Sequence, residues 1–387
     1  MIRAPISTII FKTAAPCNLN CTYCYEYNRG DSSWKSKPPS VALELCAILG
    51  QRIRDYCGAA GISQFGVTLH GGEPMLAGPA KIARIIDEIR LNAAPIKIRM
   101  GMQTNATLTT PAMLEVLASR KVNVGVSLDG DDFANRNRVD HRGELSRDRT
   151  VAGIAMLRSV GLLSGIQAVI DLDSEPGAVL DALADFDPPL IELGIPFGNH
   201  DNPPHSGTTR YSLGAWMVAA FGHWVSSPRL SGRKVRILQD ALTSIINEKS
   251  TSDWFPAVPP GYLVVATDGS YEGLDPLKVA GAAGRVLNLK IQDDPIVSAL
   301  DHPAIVARSS SSQLCSECRA CAMVQWCHGG YYPTRYGRGR DFDNPSVYCA
   351  DFKQLFSGLG NWLLAQGNTP EDVRHRISAK LKASALS

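Results

Sequence analysis

A strand followed by a helix, repeated down the first half of the chain, is the pattern that most restricts how it can fold. Candidate strands at 7–12, 65–70, 96–102, 122–128, 164–170 and 190–195 alternate with helical segments at 41–53, 79–91, 111–119, 149–160 and 177–185. Such units place strands parallel, joined by right-handed crossovers. Six of them predict an α/β fold of the TIM type that stays open, a partial (β/α)6 barrel rather than a closed eight-fold one. Ser40 reads as the N-cap of the first helix, ahead of Val41, Leu45, Ile48, Leu49 and Ile53. In parallel α/β sheets ligands bind at the carboxyl ends of the strands. Four unusual stretches fall at those ends here: Cys17 to Cys24, Gly71-Gly72-Glu73-Pro74, Gln103-Thr104-Asn105 and Ser127-Leu128-Asp129-Gly130. They are expected around one pocket.

Cys17, Cys21 and Cys24 stand at C-x-x-x-C-x-x-C spacing within a single loop. Thiolates are soft ligands that suit iron–sulfur clusters and zinc. A closed zinc site needs a fourth donor, and no Cys or His follows before Cys46, so one coordination position is left open. A zinc knuckle, or three unrelated buried thiols, is the alternative. A second set, Cys318, Cys321, Cys327 and Cys349, offers four thiolates, enough for a 4Fe–4S cluster or for zinc. Cys315 is a spare thiol or a competing ligand beside that set. Cys46 and Cys57, in a helical segment, read as small buried hydrophobes.

Composition narrows the class. Of 387 residues 44% are hydrophobic and 20% charged, enough apolar content for a large core. The 39 basic and 37 acidic residues leave a net charge of +2, which makes no electrostatic case for nucleic acid or an anionic membrane as partner. No apolar run is long enough for a membrane span, and Met1 to Ile6 lacks a signal peptide's apolar core, so a cytoplasmic location is expected. Ten cysteines in a chain of this size point to metal or redox chemistry rather than a disulfide scaffold. The expected organisation is a barrel over 1–200, a helical bridge over 201–255, a cysteine-rich domain over 256–368 and a charged, frayed helical tail over 369–387.

The first cysteine loop resembles the signature of radical S-adenosylmethionine (SAM) enzymes in its C-x-x-x-C-x-Tyr-C form. The resemblance implies that Cys17, Cys21 and Cys24 bind three irons of a 4Fe–4S cluster and that SAM chelates the fourth. It implies that Gly72 and Glu73 receive the methionyl amino group, with Gly71 letting the chain turn close by. Asn105 and Ser127 match positions near the methionyl carboxylate and ribose. Asp129 matches a ribose acceptor or a turn cap, Arg138 a partner of the carboxylate, and Tyr23 an aromatic residue flanking the adenine. The C-terminal set resembles the second auxiliary-cluster set of the SPASM extension. A full SPASM domain carries a further cysteine where this chain has Tyr331, so the implied count is two 4Fe–4S clusters, one SAM-binding and one auxiliary.

Thr267 to Asp275, Cys327 to Tyr336 and Phe342 to Cys349 further resemble the cyclophane-forming peptide maturases of the GrrM/FxsB type, with His328 in place of the more usual glycine. This implies an oxidoreductase acting on a ribosomally synthesised precursor peptide, with an electron donor such as flavodoxin or ferredoxin. A 5′-deoxyadenosyl radical would take a hydrogen from a β-carbon, and that carbon would join an aromatic ring. Asp275 is the candidate base. The rival readings are thioether crosslinking, epimerisation or formylglycine formation, and a non-catalytic iron–sulfur or zinc protein. No appended peptide-binding module is visible, so the leader is expected to bind the enzyme's own surface or a separate protein.

Overall fold

The structure, a computed structural model, describes residues 6–204, 207–248, 250, 252–257, 260–281, 286–308 and 313–385. Among them no helix is long and apolar enough to cross a membrane. The chain divides into two compact units: Met1–Leu128, Asn135–Gln167 and Gly261–Arg308 in the first, and Asp129–Ala134, Ala168–Pro260 and Ser309–Ser387 in the second.

The first unit begins with the expected alternation: β1 (Thr8–Ala14), α1 (Leu43–Ala60), β2 (Gln64–Gly71), α2 (Pro79–Ala93), β3 (Lys97–Thr104), α3 (Pro111–Ser119), β4 (Asn123–Ser127), α4 (Arg147–Ser159) and β5 (Leu163–Val169), whose last two residues fall in the second unit. β1 to β5 pair in parallel, neighbour to neighbour. α1 buries Leu45, Cys46, Leu49, Ile53, Tyr56 and Cys57, the stripe that a 3.6-residue period puts on one face. Its start differs from expectation. Ala42, not Ser40, is the N-cap, because the Ser40 hydroxyl donates to the Thr13 carbonyl at 3.1 Å and ties the helix entry to β1.

The second unit contains α5 (Pro176–Ala184), β6 (Leu190–Gly194), α6 (Leu213–Ser226), β7 (Lys234–Val235), paired in parallel with β6, and α7 (Arg236–Asn247). The chain then returns to the first unit. β8 (Tyr262–Val265) pairs in parallel with the free edge of β1, Thr8 facing Tyr262, and β9 (Ser270–Glu272) and β10 (Val286–Lys290) extend that edge antiparallel. The helices α8 (Ile296–Asp301) and α9 (Pro303–Arg308) complete it. Gly261–Arg308, which sequence pattern grouped with the cysteine-rich domain, is thus counted with the first unit. Four helices close the second unit: α10 (Ser316–Arg319), α11 (Val324–Cys327), α12 (Cys349–Ala365) and α13 (Glu371–Ala385). Among the described residues the tail, expected to fray, is a docked helix. α13 buries Val373 and Ile377, and Arg376 donates to the Ile246 carbonyl at 2.6 Å.

Candidate active site and auxiliary metal centre

In the first unit the ends of β1, β2 and β3 are stitched to the cysteine loop. The Gly72 amide donates to the Ala14 carbonyl at 2.9 Å, and the Glu73 amide to the Pro16 carbonyl at 3.0 Å. Only glycine fits this seam. A Cβ on Gly71 would lie 2.0 Å from the Ala14 oxygen, and one on Gly72 2.0 Å from the Tyr27 hydroxyl. Gly71 also has φ +139°, which side chains rarely adopt. The Glu73 carboxylate, 1% exposed, accepts from the Met75 amide (2.9 Å), the Thr104 hydroxyl (2.7 Å) and the Asn105 amide (2.8 Å). Burial raises its pKa, against those donors and nearby Arg138. Glu73 therefore fastens the turn after β2 to the turn after β3.

The loop itself is held from several sides. Asn105 Nδ2 donates to Asn18 Oδ1 at 2.9 Å and lies 3.8 Å from Cys17 Sγ, while its Oδ1 accepts from the Thr107 amide and hydroxyl. Asn28 Nδ2 donates to the Cys21 carbonyl at 2.8 Å, and the His141 ring nitrogen sits 2.9 Å from the Cys17 carbonyl. Arg138, nearly buried, donates to the Tyr23 hydroxyl at 2.8 Å. Gln103 donates to the Ser127 hydroxyl at 2.9 Å. Burial, then the Glu73 charge and the two other thiols, pushes the Cys17 thiol up to about 12; burial and then Cys21 do the same to Cys24. Cys17 and Cys24, whose thiols resist ionising alone, stand within the field of Cys21, and the three fit a cationic iron centre that would hold them as thiolates. Asp129, in the second unit, accepts from the Val169 amide at 2.9 Å. Asp275 opens a 3-10 turn, Asp275–Ala280, and its side chain lies outside the described residues.

The second unit brings the other four cysteines together. Cys318, Cys321, Cys327 and Cys349 line one cavity with Met323, Phe352 and Phe356. Burial raises the pKa of Cys318, Cys327 (to about 11) and Cys349. Cys315, 1% exposed, packs against Leu314 and Cys318 and is not part of the cavity wall. His328 has φ +49°, the left-handed region that suits the more usual glycine. Among the described residues no three His, Cys, Asp or Glu side chains gather tightly enough to ligate one metal ion. A four-iron cubane makes a different demand, because each thiolate binds its own iron and the sulfurs stand apart around a cavity. The four-cysteine cavity has that form.

With this geometry in view, residues 13–172 match the model of the Radical SAM superfamily. These residues are a radical SAM domain. Similar proteins extend further. An uncharacterized protein of Methanocaldococcus jannaschii is 28% identical over 187 residues, 48% of this chain and 59% of its own length. The cysteine-type anaerobic sulfatase-maturating enzyme of Clostridium perfringens is 24% identical over 368 residues, 91% of this chain and 95% of that one. Among solved structures, native anSMEcpe with bound AdoMet aligns with a TM-score of 0.78 at 22% identity, covering 92% of this chain and 98% of that chain. Streptococcus suis SuiB bound to its precursor peptide SuiA aligns with a TM-score of 0.63 at 17% identity, covering 89% and 76%. At these identities the structural likeness is one of fold, and the α/β radical SAM fold expected from sequence is the fold the chain has.

Sequence reasoning missed several residues around both centres. Asn18, Tyr27, Asn28 and His141 brace the radical SAM loop, and only their closeness in sequence to the cysteines or to Arg138 hinted at it. Lys12, Glu26, Glu272 and Lys278, all buried, form an ionic core in the same unit: Lys12 Nζ is 3.1 Å from Glu26 and 3.4 Å from Glu272, and Lys278 also pairs with Glu26. In the second unit Lys353 lines the cysteine cavity and Arg335 donates to the carbonyl of Gly329 in its wall, both unannounced by any spacing.

Proposed function

We propose that the protein is a peptide-modifying radical SAM enzyme with one 4Fe–4S cluster on Cys17, Cys21 and Cys24 and an auxiliary one on Cys318, Cys321, Cys327 and Cys349. The observation that carries this reading is the pairing of a radical SAM domain, whose three-cysteine loop leaves a coordination position open, with a separate four-cysteine cavity. When bound, SAM and the reduced first cluster supply a 5′-deoxyadenosyl radical that removes hydrogen from a substrate carbon, and the second cluster supplies a one-electron acceptor.

The chain's own part is to hold and orient. The Gly71-Gly72-Glu73 turn, locked by Glu73 to Thr104 and Asn105, is proposed to receive the methionyl amino group through its backbone and the remaining acceptor capacity of Glu73. Arg138, fixed by Tyr23, is proposed to meet the carboxylate, with Asn105, Ser127 and Asp129 placing the carboxylate and ribose. Tyr23 is proposed to flank the adenine. Asp275 is the proposed proton acceptor.

For the substrate we favour a ribosomally made precursor peptide, in keeping with the SuiA peptide bound to SuiB. For the product we favour a side-chain crosslink from a β-carbon to an aromatic ring. Bond closure there releases one hydrogen atom, one electron and one proton, matching a radical, an acceptor and a base. A second reading is formylglycine formation, favoured by the full-length similarity to the sulfatase-maturating enzyme. Tyr331 and the absence of any cysteine between Cys57 and Cys315 speak against the complete cluster set of that type.

Anaerobic incubation of the reconstituted, dithionite-reduced protein with SAM tests the class. It should release 5′-deoxyadenosine, and Cys17→Ala should abolish release. No 5′-deoxyadenosine from iron-replete protein overturns the enzyme reading. The Cp18Cys peptide, seen bound to anSMEcpe, tests the second reading: an aldehyde formed on it establishes formylglycine formation, and an unchanged peptide removes that reading's support.

A further inference from the structure

Arg335 is a buried cation that the protein alone does not neutralise. Its guanidinium, on a side chain only 5% exposed, donates to three backbone carbonyls, those of His328 (3.0 Å), Gly329 (3.0 Å) and Gly330 (2.9 Å). The Tyr332 ring lies 6.0 Å from it, at the outer limit of a cation–π contact, and among the described residues no carboxylate pairs with it. Carbonyls satisfy its N–H groups but leave its charge uncompensated, and an uncompensated buried charge is strongly unfavourable. The surroundings say where the missing anion belongs. The three carbonyls directly follow Cys327, and Gly329 lines the cysteine cavity. The Gly329 amide points to the Cys327 sulfur while its carbonyl turns to the guanidinium. Gly329 has φ +79°, the left-handed region that favours glycine, and a Cβ there would lie 2.9 Å from the Arg335 Nη2, so a side chain would also have to displace the guanidinium. Of the ionisable groups around it, the Cys318 and Cys327 thiols act most strongly on Arg335. A second cation, Lys353, lines the same cavity one helical turn after Cys349, and no Asp or Glu is in the wall.

A 4Fe–4S centre on four thiolates is net anionic and becomes more so on reduction, and its potential depends on net charge, hydrogen bonds to sulfur and solvent exposure. We infer that Arg335, assisted by Lys353, is the built-in counterion of the auxiliary centre and raises its reduction potential, so that the centre accepts an electron readily. This rests on the auxiliary cluster of the proposed function and deepens it, tying its acceptor role to Lys353 in the cavity wall and to Arg335 behind Gly329.

The test is an EPR-monitored redox titration of the full-length Cys17/Cys21/Cys24→Ala variant, which leaves only the auxiliary centre to read. Adding Arg335→Gln should lower the reduced-to-oxidised ratio at a fixed potential at least tenfold, about 59 mV for a one-electron couple. Arg335→Lys, which keeps the charge, should stay near the parent. An unchanged or raised midpoint in Arg335→Gln overturns the inference and leaves the cluster assignment standing. Should Arg335→Gln take up no iron, Lys353→Gln decides: a smaller fall, as suits a more exposed charge, supports the inference, and no fall overturns it. A parent variant with no reducible centre overturns the auxiliary-cluster assignment itself, and the inference with it.

Discussion

The two units bury charge in opposite ways. In the first, Lys12, Lys37 and Lys278 are interleaved with Glu26, Glu272 and Asp268, so each cation has an anion supplied by the chain. In the second, Arg335 has three carbonyls and the Tyr332 ring but, among the described residues, no carboxylate. The first arrangement is complete in the polypeptide and joins the segment after the radical SAM cysteines (Glu26, Lys37) to the returning β9 strand (Glu272) and the turn that carries Lys278. The second is complete only when something anionic occupies the four-cysteine cavity. A closed ionic core is thus a feature of structure, whereas an open one marks a place for a bound group.

The largest effect should come from breaking the closed core. Lys278→Met leaves Glu26 with Lys12 alone in a buried setting and should cost about 3 kcal/mol in denaturant unfolding, equally in iron-free and iron-loaded protein. Acid attacks the same core. Burial alone would raise the pKa of Glu272, but Lys12, Lys278 and Lys37 outweigh it and hold it down to about 2; Glu26 is lowered by Lys12 and Lys278 against the same burial penalty. For carboxylates with depressed folded pKa values, the stabilisation is present above the ordinary value near 4.5 and is lost as pH falls through the folded value. Glu272 alone should account for roughly 3 kcal/mol lost between pH 4.5 and 2, and Glu272→Gln should flatten that part of the acid-unfolding curve.

Arg335→Met probes the open core. The stability gained on iron loading should shrink by about 1–2 kcal/mol relative to wild type, because only in the loaded form does Arg335 have an anion to offset. An equal loss in iron-free protein would erase the contrast between the units. The smallest effect is at the seam of the first site. Tyr27→Phe removes the bond to the Ala15 carbonyl (2.6 Å) and should cost about 1 kcal/mol, with weaker retention of the first cluster's iron and no change at the second.

Much of this was legible in the chain. The strand–helix alternation fixed the parallel sheet because each element carries its own periodicity, and both cysteine sets were visible because ligand spacing is local or nearly so. What stayed hidden depended on distant partners. β8 reads as an isolated strand, and its pairing with β1, some 250 residues earlier, leaves no local mark. Ser40 looks like a cap until Thr13 engages its hydroxyl. Glu73 suits an ammonium by charge, yet its fastening role depends on donors from β3 and the residue after it. Arg335 differs in no way from a surface arginine until the Gly329-Gly330 turn folds over it.

The central claim is that the chain holds two iron–sulfur centres on two separate sets of cysteines. An anaerobic iron and sulfide count on reconstituted protein, beside the Cys17/Cys21/Cys24→Ala variant, tests it most directly. Two centres require about eight irons, falling to about four in the variant. About four irons falling to none would contradict it, leaving the C-terminal cysteines without a cluster and the proposed electron acceptor without a basis.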